Sequence, residues 1–154
     1  MKNKELVNEL IKRNYHISFG ESCTGGMLAS SIVDIPDASK VLNESFVTYA
    51  DEAKIKYLNV DGDVIKKYGV VSEEVAYQMA LGVASNAKSE CAISTTGIAG
   101  PTGGSSLKPV GMVCFGFYLN GKIITKTKYF NGSRNEVRCA ATSYAIETML
   151  ELIL

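Results

Sequence analysis

The spacing of apolar positions along this chain changes repeatedly, and each change marks an element. Leu6, Val7, Leu10 and Ile11 recur at helical spacing among charged neighbours, which predicts a helix over 3–14. Residues 16–20, HISFG, then read as a short strand, and 24–33, TGGMLASSIV, as a second helix that Pro36 closes off. A strand over 44–49 comes next, followed by short helical pieces over 51–59 and 63–69. Ser72 has the character of an N-cap, with Glu73 and Glu74 favourably placed against the helix dipole, and opens a helix to about Lys88.

The second half is richer in β signals. ECAISTTG, residues 90–97, reads as a central strand, and the fifteen residues GIAGPTGGSSLKPVG that follow hold five glycines and two prolines. A loop of that length inside a compact domain is usually functional. The runs 111–119 and 122–130 flank Asn120-Gly121, a strong two-residue hairpin signal, so they should pair antiparallel. Ser133-x-x-Glu136 is a capping box opening a last helix, for which Val137, Ala140, Ala141, Tyr144, Thr148 and Leu152 are the expected inward stripe. Helices alternating with strands, plus one hairpin, predict an α/β domain whose mixed sheet is covered on both faces.

Composition narrows the function. Of 154 residues, 46% are hydrophobic and 21% charged, ordinary values for one globular domain spanning 1–154. Sixteen basic residues balance sixteen acidic ones, and the longest basic run is the pair Lys66-Lys67, which argues against a nucleic-acid partner. No apolar run approaches the ~20 residues of a membrane span, and the charged N-terminal segment lacks a signal peptide's apolar block. The expectation is a cytoplasmic protein with no membrane partner. The four cysteines form no C-x-x-C pair and His16 is the single histidine, so neither a metal site nor a Ser-His-Asp triad is indicated, and no cofactor is expected.

Four segments carry the candidate chemistry. In GESCTGG, residues 20–26, a strand runs into a helix through hydroxyl residues and glycines, and unpaired N–H groups at a helix start suit an anion or oxyanion. The glycine-rich loop after Thr95-Thr96 offers a second surface of backbone donors. In FVTYADEAK, residues 46–54, Tyr49 precedes Lys54 by five positions. Alone, Lys54 reads as a solvated surface lysine; beside a serine it is a candidate base once desolvated, in a chain short of histidine. In FNGSRNEVR, Arg134 and Arg138 lie four apart at a helix start, where one is a candidate for an anion and a surface salt bridge is the plain alternative.

Together ESCTGG (21–26), FVTYADEAK (46–54), GVVSEEVAYQMALG (69–82), TGIAGPTGG (96–104), KPVG (108–111) and FNGSRNEVRCAA (130–141) resemble the CinA C-terminal domain family. The characterised bacterial members of that family are nicotinamide-nucleotide amidases. The resemblance implies a three-layer α/β/α sandwich around a mixed, mainly parallel sheet with one antiparallel hairpin strand. It also implies hydrolysis of nicotinamide mononucleotide to nicotinate mononucleotide and ammonia without a metal, in a stand-alone, homodimeric form. It maps the nucleophile onto Ser22, the base onto Lys54 and a supporting tyrosine onto Tyr49. Substrate contacts map onto Thr96 and the C-terminal segment, with Arg138 favoured over Arg134; Gly97 and Gly100 belong to the same loop.

Four positions depart from the family's usual residues: Ala50-Asp51 stand where Ser-Asn is common, and Thr102 and Ser133 where Asp is common. The expected mechanism is acyl transfer, with Lys54 taking the Ser22 proton directly or through Tyr49. Backbone N–H groups of Cys23, Thr24 and Gly25 are the expected oxyanion donors. The loop from Thr96 to Gly104 is assigned the ribose phosphate with an arginine's help, and the opposite allocation of the two loops stays open. Two rivals remain: a non-catalytic nucleotide-binding module of the same fold, and a hydrolase using Cys23 or acting on another amide.

Overall fold

A computed structural model describes residues 1–154 as five strands, six α-helices and one 3₁₀ turn. The strands are β1 (Ile17–Glu21), β2 (Phe46–Val47), β3 (Cys91–Gly97), β4 (Met112–Leu119) and β5 (Lys122–Tyr129). They form one sheet in the order β2-β1-β3-β4-β5. β1 pairs parallel with both β2 and β3, while β4 pairs antiparallel with β3 and β5. Four strands therefore point one way and β4 the other. The β4–β5 turn places Asn120 and Gly121 at φ 46° and 91°, the two left-handed residues that a tight hairpin needs.

The helices are α1 (Lys2–Arg13), α2 (Met27–Val33), α3 (Asp51–Leu58), α4 (Gly62–Tyr68), α5 (Glu73–Ala87) and α6 (Arg134–Ile153). Alternation along the strands sorts them into two layers. Ile17, Phe19, Cys91, Ile93, Val113, Phe115 and Phe117 face α1, α2 and α6 and make the larger core. The opposite face carries small residues such as Gly20, Ala92, Ser94 and Gly116, which let α5 lie close: Ser94 Oγ donates to the Ala76 carbonyl at 2.6 Å. Helices α3 and α4 pack beside α5, completing an α/β/α sandwich.

Capping chemistry sets the helix starts. Ser72 Oγ accepts from Val75 N–H at 3.2 Å, and at α6 the Ser133 and Glu136 side chains cap each other's backbone. The buried stripe of α6 differs from the expected one: Val137 and Ala141 are buried, but the row continues through Thr142, Ala145, Ile146, Met149 and Leu150. Tyr144 is half-buried with its ring 4.9 Å from that of Phe115, and Leu152 is exposed. Counting in fours from Ala140 places the stripe about one residue, some 100° of helix, away from the face the sheet covers.

The parallel strands deliver their carboxyl ends to one edge, where Glu21 is in register with Val47 and Thr95. β5 ends at the same edge, since Tyr129 lies across from Met112 and Gly97 across from Val113. All four candidate segments therefore leave the sheet side by side. The loop after β3 is cinched at its neck, with Ile98 N–H donating to Met112 O at 2.9 Å and Gly111 N–H to Ile98 O at 2.7 Å.

Helix α5 crosses the end of α3 so closely that a Cβ on Gly82 would stand 2.0 Å from the Leu58 carbonyl oxygen. Gly82→Ala should lower the unfolding free energy by about 1–3 kcal/mol in a denaturant titration, although alanine is the better helix former, because overpacking outweighs propensity.

Candidate active site

β1 ends on Glu21, and the chain then turns through Ser22–Gly26 before α2 begins at Met27. The helix starts three residues later than the sequence predicts because Gly25 and Gly26 take φ 53° and 103°, values that glycine adopts without strain. The turn folds the Glu21 side chain, fully buried, onto the first turn of α2. Its Oε1 accepts from Leu28 N–H at 2.9 Å and from the Thr24 hydroxyl at 2.7 Å, and its Oε2 from Ala29 N–H at 3.1 Å. The helix donors that the sequence offered to an external anion are occupied by the chain's own carboxylate.

Two further ties fix the turn. Ser22 N–H donates to the Thr95 carbonyl at 3.1 Å, and the Thr95 and Thr24 hydroxyls lie 2.9 Å apart. From α6, Arg138 Nε donates to the Cys23 carbonyl at 2.9 Å and an Nη to the Thr24 carbonyl at 3.3 Å, with Asn135 Oδ1 holding the other Nη at 3.1 Å. Arg138 thus braces the turn from behind and is absent from the cleft that Ser22 lines. Of the two arginines, it is Arg134 that stands on the cleft wall.

What the turn presents is the Ser22 hydroxyl. Lys54, on the buried side of α3 and 1% exposed, places Nζ 3.0 Å from Ser22 Oγ. Nζ also donates to the Thr48 carbonyl at 2.7 Å and to the Tyr49 carbonyl at 3.2 Å. Burial pushes the Lys54 pKa below the ordinary 10.5, against the opposing pull of Asp51. Two fixed carbonyl acceptors have a chemical consequence: in the neutral amine they take two N–H bonds and leave the lone pair for the Ser22 hydroxyl.

The pair lies in a cleft of about 420 Å³. Its walls come from the end of β3 and the loop after it, including Thr96, Gly97 and Gly100, from Val70 and Val71 ahead of α5, and from Asp51, Lys108 and Arg134. Thr96 Oγ1 donates to the Val70 carbonyl at 2.9 Å, joining two walls. Arg134 Nη groups donate to the Gly100 carbonyl at 2.8 Å and to the Tyr49 hydroxyl at 2.9 Å. The Tyr49 hydroxyl is therefore engaged with Arg134, and it is the Tyr49 carbonyl that meets Lys54. Thr24 and Gly25 do not line the cleft: the Thr24 hydroxyl serves Glu21, and Gly25 N–H donates to the Ser22 carbonyl at 3.0 Å. The N–H groups of Cys23 and Thr24 make no hydrogen bond within the chain.

Cys23 lines the cleft, but burial pushes its thiol up to about 11, so it stays protonated at neutral pH. His16 sits at the opposite, amino end of β1, its ring 3.4 Å from Glu90. No group of three or more His, Cys, Asp or Glu side chains is arranged to hold a metal, and no helix is long and apolar enough to cross a membrane. Sequence reasoning did not select Lys108, whose Nζ donates to the Tyr68 carbonyl, or Thr95; Lys108 stood in the quoted KPVG segment, the one signal available.

An α/β/α sandwich with a lysine-paired serine at the carboxyl edge of its parallel strands is the class these features define. The chain belongs to the CinA C-terminal domain family, whose profile matches residues 1–153. A CinA-like protein from Kosmotoga olearia is 45% identical over 149 residues, covering 97% of this chain and 36% of that protein. The chain spans about a third of the length of the curated relatives it matches. Among solved structures, a CinA superfamily protein from Klebsiella pneumoniae superposes with a TM-score of 0.95 at 31% identity, covering 99% of this chain and 95% of that one. A competence/damage inducible protein from Agrobacterium tumefaciens gives 0.92 at 34% identity, covering 100% and 97%.

Replacing Glu21 by glutamine turns one acceptor into a donor facing N–H groups. Glu21→Gln should cost about 1–3 kcal/mol of stability by urea denaturation, with the strand content by circular dichroism retained.

Proposed function

We propose that the protein is an amidohydrolase that converts nicotinamide mononucleotide to nicotinate mononucleotide and ammonia. The observation that carries this reading is the 3.0 Å approach of Ser22 Oγ to a buried Lys54 whose pKa is lowered. Ser22 attacks the carboxamide carbon while its proton passes directly to Lys54 Nζ. The N–H group of Cys23, which lines the cleft and makes no hydrogen bond within the chain, is the donor available to the oxyanion. On collapse Lys54 returns the proton to the departing nitrogen, which leaves as ammonia. Lys54 then takes a proton from water as it attacks the acyl-enzyme, and Ser22 is regenerated.

Tyr49 fits a supporting role through its carbonyl, which helps aim the Lys54 lone pair, and through its hydroxyl, which orients Arg134. Arg134, Lys108 and the backbone donors of the glycine-rich loop form the cationic side of the cleft and suit the substrate's phosphate. The raised Cys23 thiol favours the serine over a cysteine nucleophile.

Ammonia release from nicotinamide mononucleotide tests the reading. Ser22→Ala and Lys54→Met should each lose at least ~10³-fold in kcat, and turnover retained by Ser22→Ala overturns the nucleophile. The rate should rise with pH as Lys54 loses its proton, with that limb below the 10.5 of an unperturbed lysine. The two arginines should separate kinetically. Arg134→Met is expected to raise KM about tenfold with kcat little changed, while Arg138→Met lowers kcat through the turn it braces.

A further inference from the structure

The cleft contains a single anionic side chain. Asp51, the first residue of α3, is exposed on its wall, and its carboxylate makes no hydrogen bond or ion pair within the chain. It precedes Lys54 by three positions, and residues three apart share a helix face. Lys54, Lys108 and Arg134 are the other ionisable groups there apart from the Cys23 thiol and the Tyr49 phenol. Lys54 is neutral in the form that accepts a proton from Ser22, so the reaction centre then has an unpaired negative charge beside it. The fixed positive charges stand on the loop and α6 walls, tied to the Tyr68 and Gly100 carbonyls.

Such a layout attracts a substrate whose own charges are divided. We propose that Asp51 determines specificity, selecting amides borne on a positively charged ring, such as an N-substituted pyridinium, over rings of the same shape without charge. The inference rests on the amidase reading of Ser22 and Lys54. In the free protein Asp51 favours the ammonium form of Lys54. A cationic ring seated beside Asp51 offsets that charge, so the base loses its proton as the substrate arrives. The remaining groups around Nζ are the Ser22 hydroxyl, the Thr48 and Tyr49 carbonyls and the protonated Cys23 thiol, none of them charged at neutral pH. Glu21 is turned into α2, and Arg134 faces the Tyr49 hydroxyl.

The test compares nicotinamide mononucleotide with its dihydropyridine form, which keeps the amide, ribose and phosphate and loses the ring charge. The readout is the ratio of their kcat/KM values in wild type, Asp51→Asn and Asp51→Glu, so that the intrinsic reactivities of the two amides cancel. Compared on the pH-independent plateau, Asp51→Asn should lose about tenfold on the cationic substrate and change by less than about twofold on the neutral one, and Asp51→Glu should restore the preference. The acid limb of kcat/KM should also move to lower pH in Asp51→Asn, since the group favouring the ammonium is gone. An unchanged ratio overturns the proposal.

Calorimetry on Ser22→Ala and on Ser22→Ala combined with Asp51→Asn measures the same preference without turnover. If wild type releases no ammonia yet the binding ratio shifts with Asp51, the amidase reading fails and charge selection stands. A binding ratio that does not shift overturns charge selection whatever the turnover, and binding of neither nucleotide overturns both.

Discussion

The site depends on a carboxylate that never meets solvent. Glu21 sits at the end of a central strand, and burying an ion there is costly unless it is hydrogen-bonded on every side. Two helix N–H groups and one hydroxyl supply those bonds, so three places must be correct together: the strand end that carries the carboxylate, Thr24 and the first turn of α2. The glycine turn that brings the carboxylate onto the helix also points the Ser22 hydroxyl outward. A defect at Glu21 therefore reaches the nucleophile through one residue of chain.

Lys54 shows the opposite arrangement, a cation held where its charge is disfavoured. Its folded pKa lies below its unfolded value, so between the two the unfolded chain binds the extra proton. Stability then rises with pH from the folded pKa of Lys54 toward 10.5, and below that window the buried ammonium weighs against the fold. Three acceptors limit the penalty without removing it. The reactive pair is maintained at the expense of stability near neutrality, a pattern common where a group's chemistry needs a shifted pKa.

Much of this was legible from sequence where a local rule applied. The helix caps, the Asn120-Gly121 hairpin and the alternation of the strands each follow from a few neighbouring residues, and the paired layers follow from them. The rest turns on three-dimensional facts. Glycine at positive φ moved the start of α2 by three residues, and with it the use of the helix donors. Arg134 and Arg138 share a helix face, so their spacing could not separate them. The first turn of α6 meets the cleft and the second meets the back of the serine turn. Tyr49 stands next to the pair, but which of its two oxygen atoms faces Lys54 depends on the path from β2 into α3.

The reversed direction of β4 has a consequence for how such a domain can diversify. Because β3 and β4 are neighbours running opposite ways, the segment between them needs no crossover helix and closes on itself at the Ile98–Met112 neck. Residues can be added, removed or exchanged beyond that neck without changing sheet register or the spacing of Ser22 and Lys54. Evolution is thereby handed a replaceable wall: the recognition surface can be rewritten while the reactive pair, anchored on β1 and α3, stays as it was.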